Sequence, residues 1–278
     1  MLKDITLGQY YPAKSVIHQL DPRVKLFGTM LFIISLFSFR GIPAFVLATI
    51  FLIWVIHISK VPFSYMVKGL KSIVVLMIIT GLFNLFLTPG EVLVKFGIFK
   101  ITYEGISSAV LMVVRLMYLI IGTSVMTLTT TPNQLTDGLE KALMPFSKIK
   151  LPVHEIAMMM SIALRFIPIL IEETDKIMKA QMARGADFEN GNLLKKAKAM
   201  VPLLVPLFVS AFRRANDLAM AMEARCYHGG SGRTKMKPLH YDKTDKIAYV
   251  TLISYFALML LLRFVWVKYI VRKNGLNW

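Results

Sequence analysis

Residues 72–90 carry no ionisable side chain, and this is one of several such runs. From Lys25 to Lys60 the only intervening charge is Arg40. From residue 105 to about 130 it is Arg115, and from 247 to 267 it is Arg263. A helix crosses the hydrocarbon core of a bilayer with roughly 17–25 mostly apolar residues, so these runs confine the chain to a membrane. Only 18% of the residues are charged, against roughly a quarter in a soluble domain, and mean hydropathy is +0.60. A soluble enzyme is excluded. The pattern predicts an all-α membrane protein with about five spans, at 26–39, 44–59, 72–90, 105–130 and 247–267. The first two form a tight hairpin turning at Arg40, Gly41 and Pro43. Residues 90–105 alternate apolar and polar around Gly97 and read as a small β-hairpin or extended outer loop.

The remaining charge is lopsided, 33 Lys and Arg against 16 Asp and Glu. Such a balance often marks nucleic-acid binders, but here the basic residues border apolar runs, where retention at the cytoplasmic face accounts for them. Lys3, Lys14, Arg23 and Lys25 precede the first span, and Lys60, Lys68 and Lys71 separate the second from the third. Both segments, and the basic stretch 131–243, are expected in the cytoplasm with the N-terminus. Arg40, Lys95 and Lys100 fall to the other side. Five spans put the C-terminus outside, against which Lys268, Arg272 and Lys273 weigh. The first residues contain no apolar core or small-residue cleavage site, so no cleaved signal is read. The single cysteine, Cys226, leaves no internal disulfide framework or multi-cysteine metal site.

The chain therefore divides into a four-span part at 1–130, a cytoplasmic region at 131–243, and a last span with its tail at 244–278. In the middle region, Thr131 and Pro132 open a short amphipathic helix with Leu135, Leu139 and Leu143 on one face, ending near Pro145. Two long helices follow at about 153–184 and 192–225. Each is apolar for 14–16 residues, too few for a confident span, and then turns polar, at Glu172 and at Arg213. They are read as lying obliquely at the inner face. One ends Ala183-Arg184-Gly185, the other Ala224-Arg225-Cys226, 41 residues on, and each arginine lies 12 residues past its polar switch. A lone arginine in a last turn, followed by glycine, is an ordinary helix end. Two tips of the same pattern call for a duplicated partner.

Nucleotide-binding and catalytic signatures are missing. GGSGRTK (229–235) has neither the spacing nor the ending of a phosphate-binding loop and reads as a flexible turn. The five histidines form no metal-binding spacing, and His154-Glu155 reads as an interfacial pair. Arg115 and Arg165 are charges within apolar helices and could serve a stand-alone secondary carrier, although acidic or histidine partners within the spans are nearly absent. With no energy-yielding site of its own and two basic tips, the chain is expected to borrow energy from two cytoplasmic ATPases.

At Leu20-Asp21-Pro22-Arg23 with Lys25, at Thr102-Tyr103-Glu104-Gly105, at Thr131-Pro132 and above all at the paired tips with Arg233-Thr234 downstream, the chain resembles the transmembrane scaffold, or T component, of energy-coupling factor transporters, the EcfT/CbiQ family. The likeness covers essentially its whole length, with Cys226 in place of the family's glycine. It implies a multi-pass subunit of a prokaryotic-type cell membrane that binds no cofactor itself, ATP being held by two ABC-type ATPase subunits. Ala183, Arg184, Gly185, Ala224, Arg225 and Cys226 would dock those subunits on helices crossing in an X. The membrane-side faces of these helices, including Met158, Met159, Met160, Leu203, Leu204 and Phe208, would receive a membrane-embedded substrate-binding S subunit. The expected cargo is a vitamin; a dedicated cobalt or nickel importer is the alternative within the family.

Overall fold

The computed structural model describes residues 10–39, 41–71, 73–96, 99–149, 152–186, 188, 193–229, 236 and 238–273. It is all-α apart from one small hairpin. The helices are α1 (Val16–Gln19), α2 (Pro22–Ser38), α3 (Ile42–Ser59), α4 (Phe63–Lys71), α5 (Val74–Leu87), α6 (Tyr103–Thr129), α7 (Pro132–Leu143), α8 (Val153–Ala183), α9 (Leu193–Ala224) and α10 (Lys243–Lys273). Strands β1 (Val92–Phe96) and β2 (Phe99–Thr102) pair antiparallel between α5 and α6, with Phe96 opposite Phe99 and a register shift between Val92 and Val94. This is the hairpin expected at 90–105; its turn, residues 97 and 98, lies outside the described residues.

Two compact units result, one of the described residues from 10 to 138 and from 239 to 273, the other of those from 139 to 238. In the first, α10 packs on α2 and α3, so the last span shares a core with the preceding ones. Phe32 and Leu36 of α2, Ala48 and Leu52 of α3, Ile121 and Val125 of α6, and Tyr255 and Met259 of α10 form that core. The Phe51 and Tyr255 rings stack at 4.2 Å, and the buried Tyr255 hydroxyl lies 3.0 Å from Ser35 Oγ. Arg115, midway along α6, places its guanidinium 5.7 and 5.6 Å from the Phe37 and Phe45 ring centres, a cation–π arrangement that ties α6 to α2 and α3.

Three expected spans, α3, α6 and α10, are long and apolar enough to cross a bilayer unaided. The third is different: α5 has only 14 residues, and it reaches span length only with α4, to which it is bent by 65°. Charge pattern alone makes 60–71 a connection, whereas Met66 and Leu70, one helical turn apart, are buried on α4. At 17 residues, α2 is about 26 Å long, a little short of a roughly 30 Å core. Helix α8 also has an 18-residue window of mean hydropathy 1.6 and meets the span criterion by length and composition; α9 is not among the helices that do.

Local chemistry explains the motifs. Asp21 caps α2 by accepting from the Arg23 amide at 2.9 Å, and its carboxylate also takes Arg23 Nε at 3.0 Å and Nη2 at 2.7 Å. Buried Asp245 accepts from the Asp21 amide at 2.8 Å, tying α10 to α2. Lys25 Nζ donates to the carbonyls of His18 (3.2 Å) and Thr129 (2.8 Å), binding the α1 segment to the end of α6. Thr102 caps α6 through the Gly105 amide at 3.0 Å. A Cβ on Gly105 would stand 2.7 Å from the Leu85 carbonyl oxygen, so only glycine lets α6 start this close to α5. Thr131 and Gln134 cap α7 reciprocally, at 3.3 and 3.0 Å. These motifs hold helix ends in place.

Candidate functional site

The site is built at the ends of α8 and α9. At the first tip the Gly185 amide donates to the Met182 carbonyl and the Ala186 amide to the Gln181 carbonyl, both at 3.0 Å. At the second, the Cys226 amide donates to the Glu223 carbonyl at 2.8 Å and the Tyr227 amide to the Met222 carbonyl at 3.0 Å. Each is a Schellman closure, which satisfies the last carbonyls and requires a left-handed residue just past the helix. Gly185 (φ 90°) and Cys226 (φ 56°) supply it. Arg184 and Arg225 occupy the same position in the two motifs, the last before the reversal, and both are exposed. Replacing glycine by cysteine leaves the geometry unchanged. A Cβ on Gly185 would meet nothing within 4 Å, so backbone conformation, not crowding within the chain, selects glycine there.

The relation between the helices was not legible from the tips alone. Arg214 Nη2 lies 3.3 Å from Glu173 Oε2, and Gln181 Nε2 donates to the Pro202 carbonyl at 3.4 Å. Passing forward from 173 to 181 on α8 means passing back from 214 to 202 on α9, so the helices run in opposite senses where they touch. Glu173 and Arg214 are themselves 41 residues apart, the offset between the tips. Equivalent positions of the two helices therefore meet, as they do at a two-fold axis. Each tip arginine lies 11 residues, roughly 16 Å of helix, beyond this central pair. The charges at that offset, Glu172-Glu173 against Arg213-Arg214, were the available signal.

The apolar residues expected to receive a membrane partner divide. Met159, Leu204 and Phe208 are exposed and Met158 is half-buried. Leu203 is only 7% exposed, so it belongs to internal packing and offers no free surface. Val201, Val205 and Phe212 extend the exposed stripe along α9. His154 contacts Glu140 at 3.1 Å, a link from α7 to the start of α8 that its neighbour Glu155 does not make. Arg233 and Thr234 lie outside the described residues.

A family model described as "Cobalt transport protein", CbiQ, matches residues 13–236 and so takes in both tips. The chain belongs to the CbiQ/EcfT family. It is 53% identical over 270 residues to the energy-coupling factor transporter transmembrane protein EcfT of Clostridium kluyveri, covering 96% of this chain and all of the relative. EcfT of Thermosediminibacter oceani is 50% identical over 265 residues (95% and 100% covered), and EcfT of Bacillus subtilis 48% over 264 (95% and 100%). Membership in the CbiQ/EcfT family, with the apolar helices above, makes this a multi-pass membrane protein of transport.

Proposed function

We propose that the chain is the transmembrane scaffold of an energy-coupling factor importer, linking two cytoplasmic ABC-type ATPases to a membrane-embedded S subunit. The observation that carries this reading is the pair of exposed, identically capped arginines at equal reach from a central ion pair. Two like sockets on a two-fold pair of motors are what such a yoke fits. Arg184 and Arg225 each present a planar, permanently charged fork to acidic or carbonyl groups in a groove of one ATPase. Ala183, Gly185, Ala224 and Cys226 keep the flanks small. ATP is bound and hydrolysed by the partners, so this chain acts without a cofactor and without catalysis.

In this reading α8 and α9 lie along the inner face of the cell membrane. An α8 that crossed the bilayer would send two like tips to opposite sides, because its contact with α9 is antiparallel. The exposed stripe of Met159, Leu204 and Phe208 receives the S subunit; flexible thioethers suit a surface that accepts different partners. ATP-driven closure of the motors displaces the tips, and the helix pair passes this movement to the S subunit. The N-terminus is cytoplasmic, following the lysine and arginine bias of the connecting segments. A vitamin is the cargo we propose, while the family description, "Cobalt transport protein", keeps a cobalt importer as the second reading.

The test is Arg184→Glu with Arg225→Glu. Both ATPases are expected to be lost from the purified complex and uptake abolished, with the membrane fold retained. Single variants retain part of the association, because two docking points act together. Normal co-purification of the ATPases by the double variant would contradict the reading. Mass spectrometry of the subunits retained by the unaltered chain separates the vitamin from the metal reading.

A further inference from the structure

The first unit holds a cavity of about 360 Å³ between α1, α2, α3, α6 and α10, within the range of small-molecule sites. Two glycines are among its lining residues, Gly28 on α2, packed closely by Leu252, and Gly122 on α6, packed closely by Phe32. Four of its polar side chains are already engaged. Lys25 Nζ donates to two carbonyls; Thr29 and Thr251 donate to carbonyls one turn back in their own helices, as does Thr129. The interior therefore has little to offer a polar guest. Val16, Trp54 and Ile247 line the cavity and are exposed. Two of them stand on α3 and α10, both long and apolar enough to span, so the mouth opens sideways into hydrocarbon. Water would find few free partners here, and an empty cavity would forfeit dispersion contacts.

The rim is mostly basic. Exposed Lys14, Lys60, Lys243 and Lys246 each lie within two residues of a lining residue, namely Val16, Ile58, Thr244 and Ile247. Of the nearby acids, Asp242 is exposed, whereas Asp21 and Asp245 are buried and engaged with Arg23 and backbone amides. We infer that the cavity binds one acyl chain of an anionic phospholipid, from the leaflet on the side of these lysines, with the headgroup held at the lysine rim. This inference rests on the membrane reading alone and is independent of the ATPase contacts.

The test uses the full chain in phosphatidylcholine vesicles carrying either phosphatidylglycerol or phosphatidylcholine with a photoactivatable group in the acyl chain. Phosphatidylglycerol is expected to label the cavity wall, including Phe32, Phe51 and Val125, well above phosphatidylcholine. Thr251→Phe, which narrows the mouth from an exposed helix face, should remove that labelling while thermal stability holds. Lys60→Gln with Lys246→Gln should lower the preference for the anionic lipid on the order of tenfold, and this variant leaves the packed walls intact. Equal labelling by the two lipids would overturn the inference. So would labels spread over the outer faces of α3 and α10 that neither variant changes. In the assembled complex, loss of lipid labels in favour of crosslinks from a partner subunit would assign the cavity to that subunit and equally overturn it.

Discussion

Cys226 holds a left-handed backbone that its counterpart Gly185 adopts freely. A side chain in that conformation costs roughly 1 kcal/mol, so the second tip closes against a penalty the first does not carry. Cys226→Gly is expected to stabilise the end of α9 by about that amount, and Gly185→Ala to destabilise the end of α8 similarly. Amide hydrogen exchange at Met222–Tyr227 and Gln181–Ala186 reads both. His18 makes a second residue-scale case. A carbonyl can only accept, so its Nε2–H donates to Tyr11 O at 2.9 Å, and Nδ1 receives the Ser15 hydroxyl at 2.6 Å. Burial, with a smaller contribution from Lys25, lowers the His18 pKa below the ordinary 6.5 against the raising effect of the Tyr11 carbonyl, which favours the neutral ring in which Nδ1 accepts. As pH falls from 6.5 toward the folded-state value, the unfolded chain takes up a proton that the folded chain refuses. The contribution is full above pH 6.5 and fades below it. A thermal-unfolding series across this range should slope downward toward acid, less steeply for His18→Gln; equal slopes would contradict this.

At the scale of elements, α8 and α9 are coupled through Glu173 and Arg214. Both side chains are partly exposed, so the pair contributes on the order of 1 kcal/mol or less to stability. Its larger role is register, since it fixes where two long helices cross. Glu173→Arg should therefore impair uptake more than it lowers the melting temperature. Adding Arg214→Glu, which restores opposite charge at the same crossing, should recover most of the uptake. Failure of that rescue would show that the crossing does not depend on the pair. The ends of these helices were legible because apolar runs, polar switches and the glycine stop are local signals. Their antiparallel crossing was not, because it depends on which surfaces meet. The same limit applied to α4, whose buried Met66 and Leu70 gain meaning only against α6, and to Leu203, whose apolar character does not distinguish a docking face from a packed one.

For the whole molecule, the sequence carried the membrane class, the hairpin and both tips, since each follows from hydropathy or a short local pattern. It assigned the motif around Asp21 and Lys25 to a family without showing its work, which is to tie α2 and the α1 segment to α10 and α6. It placed α8 obliquely at the inner face because its apolar run reads as short, yet α8 also has the length and composition of a span; the antiparallel partner with a matching tip is what argues for the surface. The claim that both arginine tips meet motors on one side of the membrane rests there. Cys226, the chain's single cysteine, allows the most direct measurement. Labelling with a membrane-impermeant maleimide, in right-side-out and inverted vesicles, reports the second tip in the native chain and the first tip in a Cys226→Ala, Ala183→Cys variant. Both tips should react only in inverted vesicles, and both should be shielded when the ATPases are bound. Reaction of either tip in right-side-out vesicles would contradict the account.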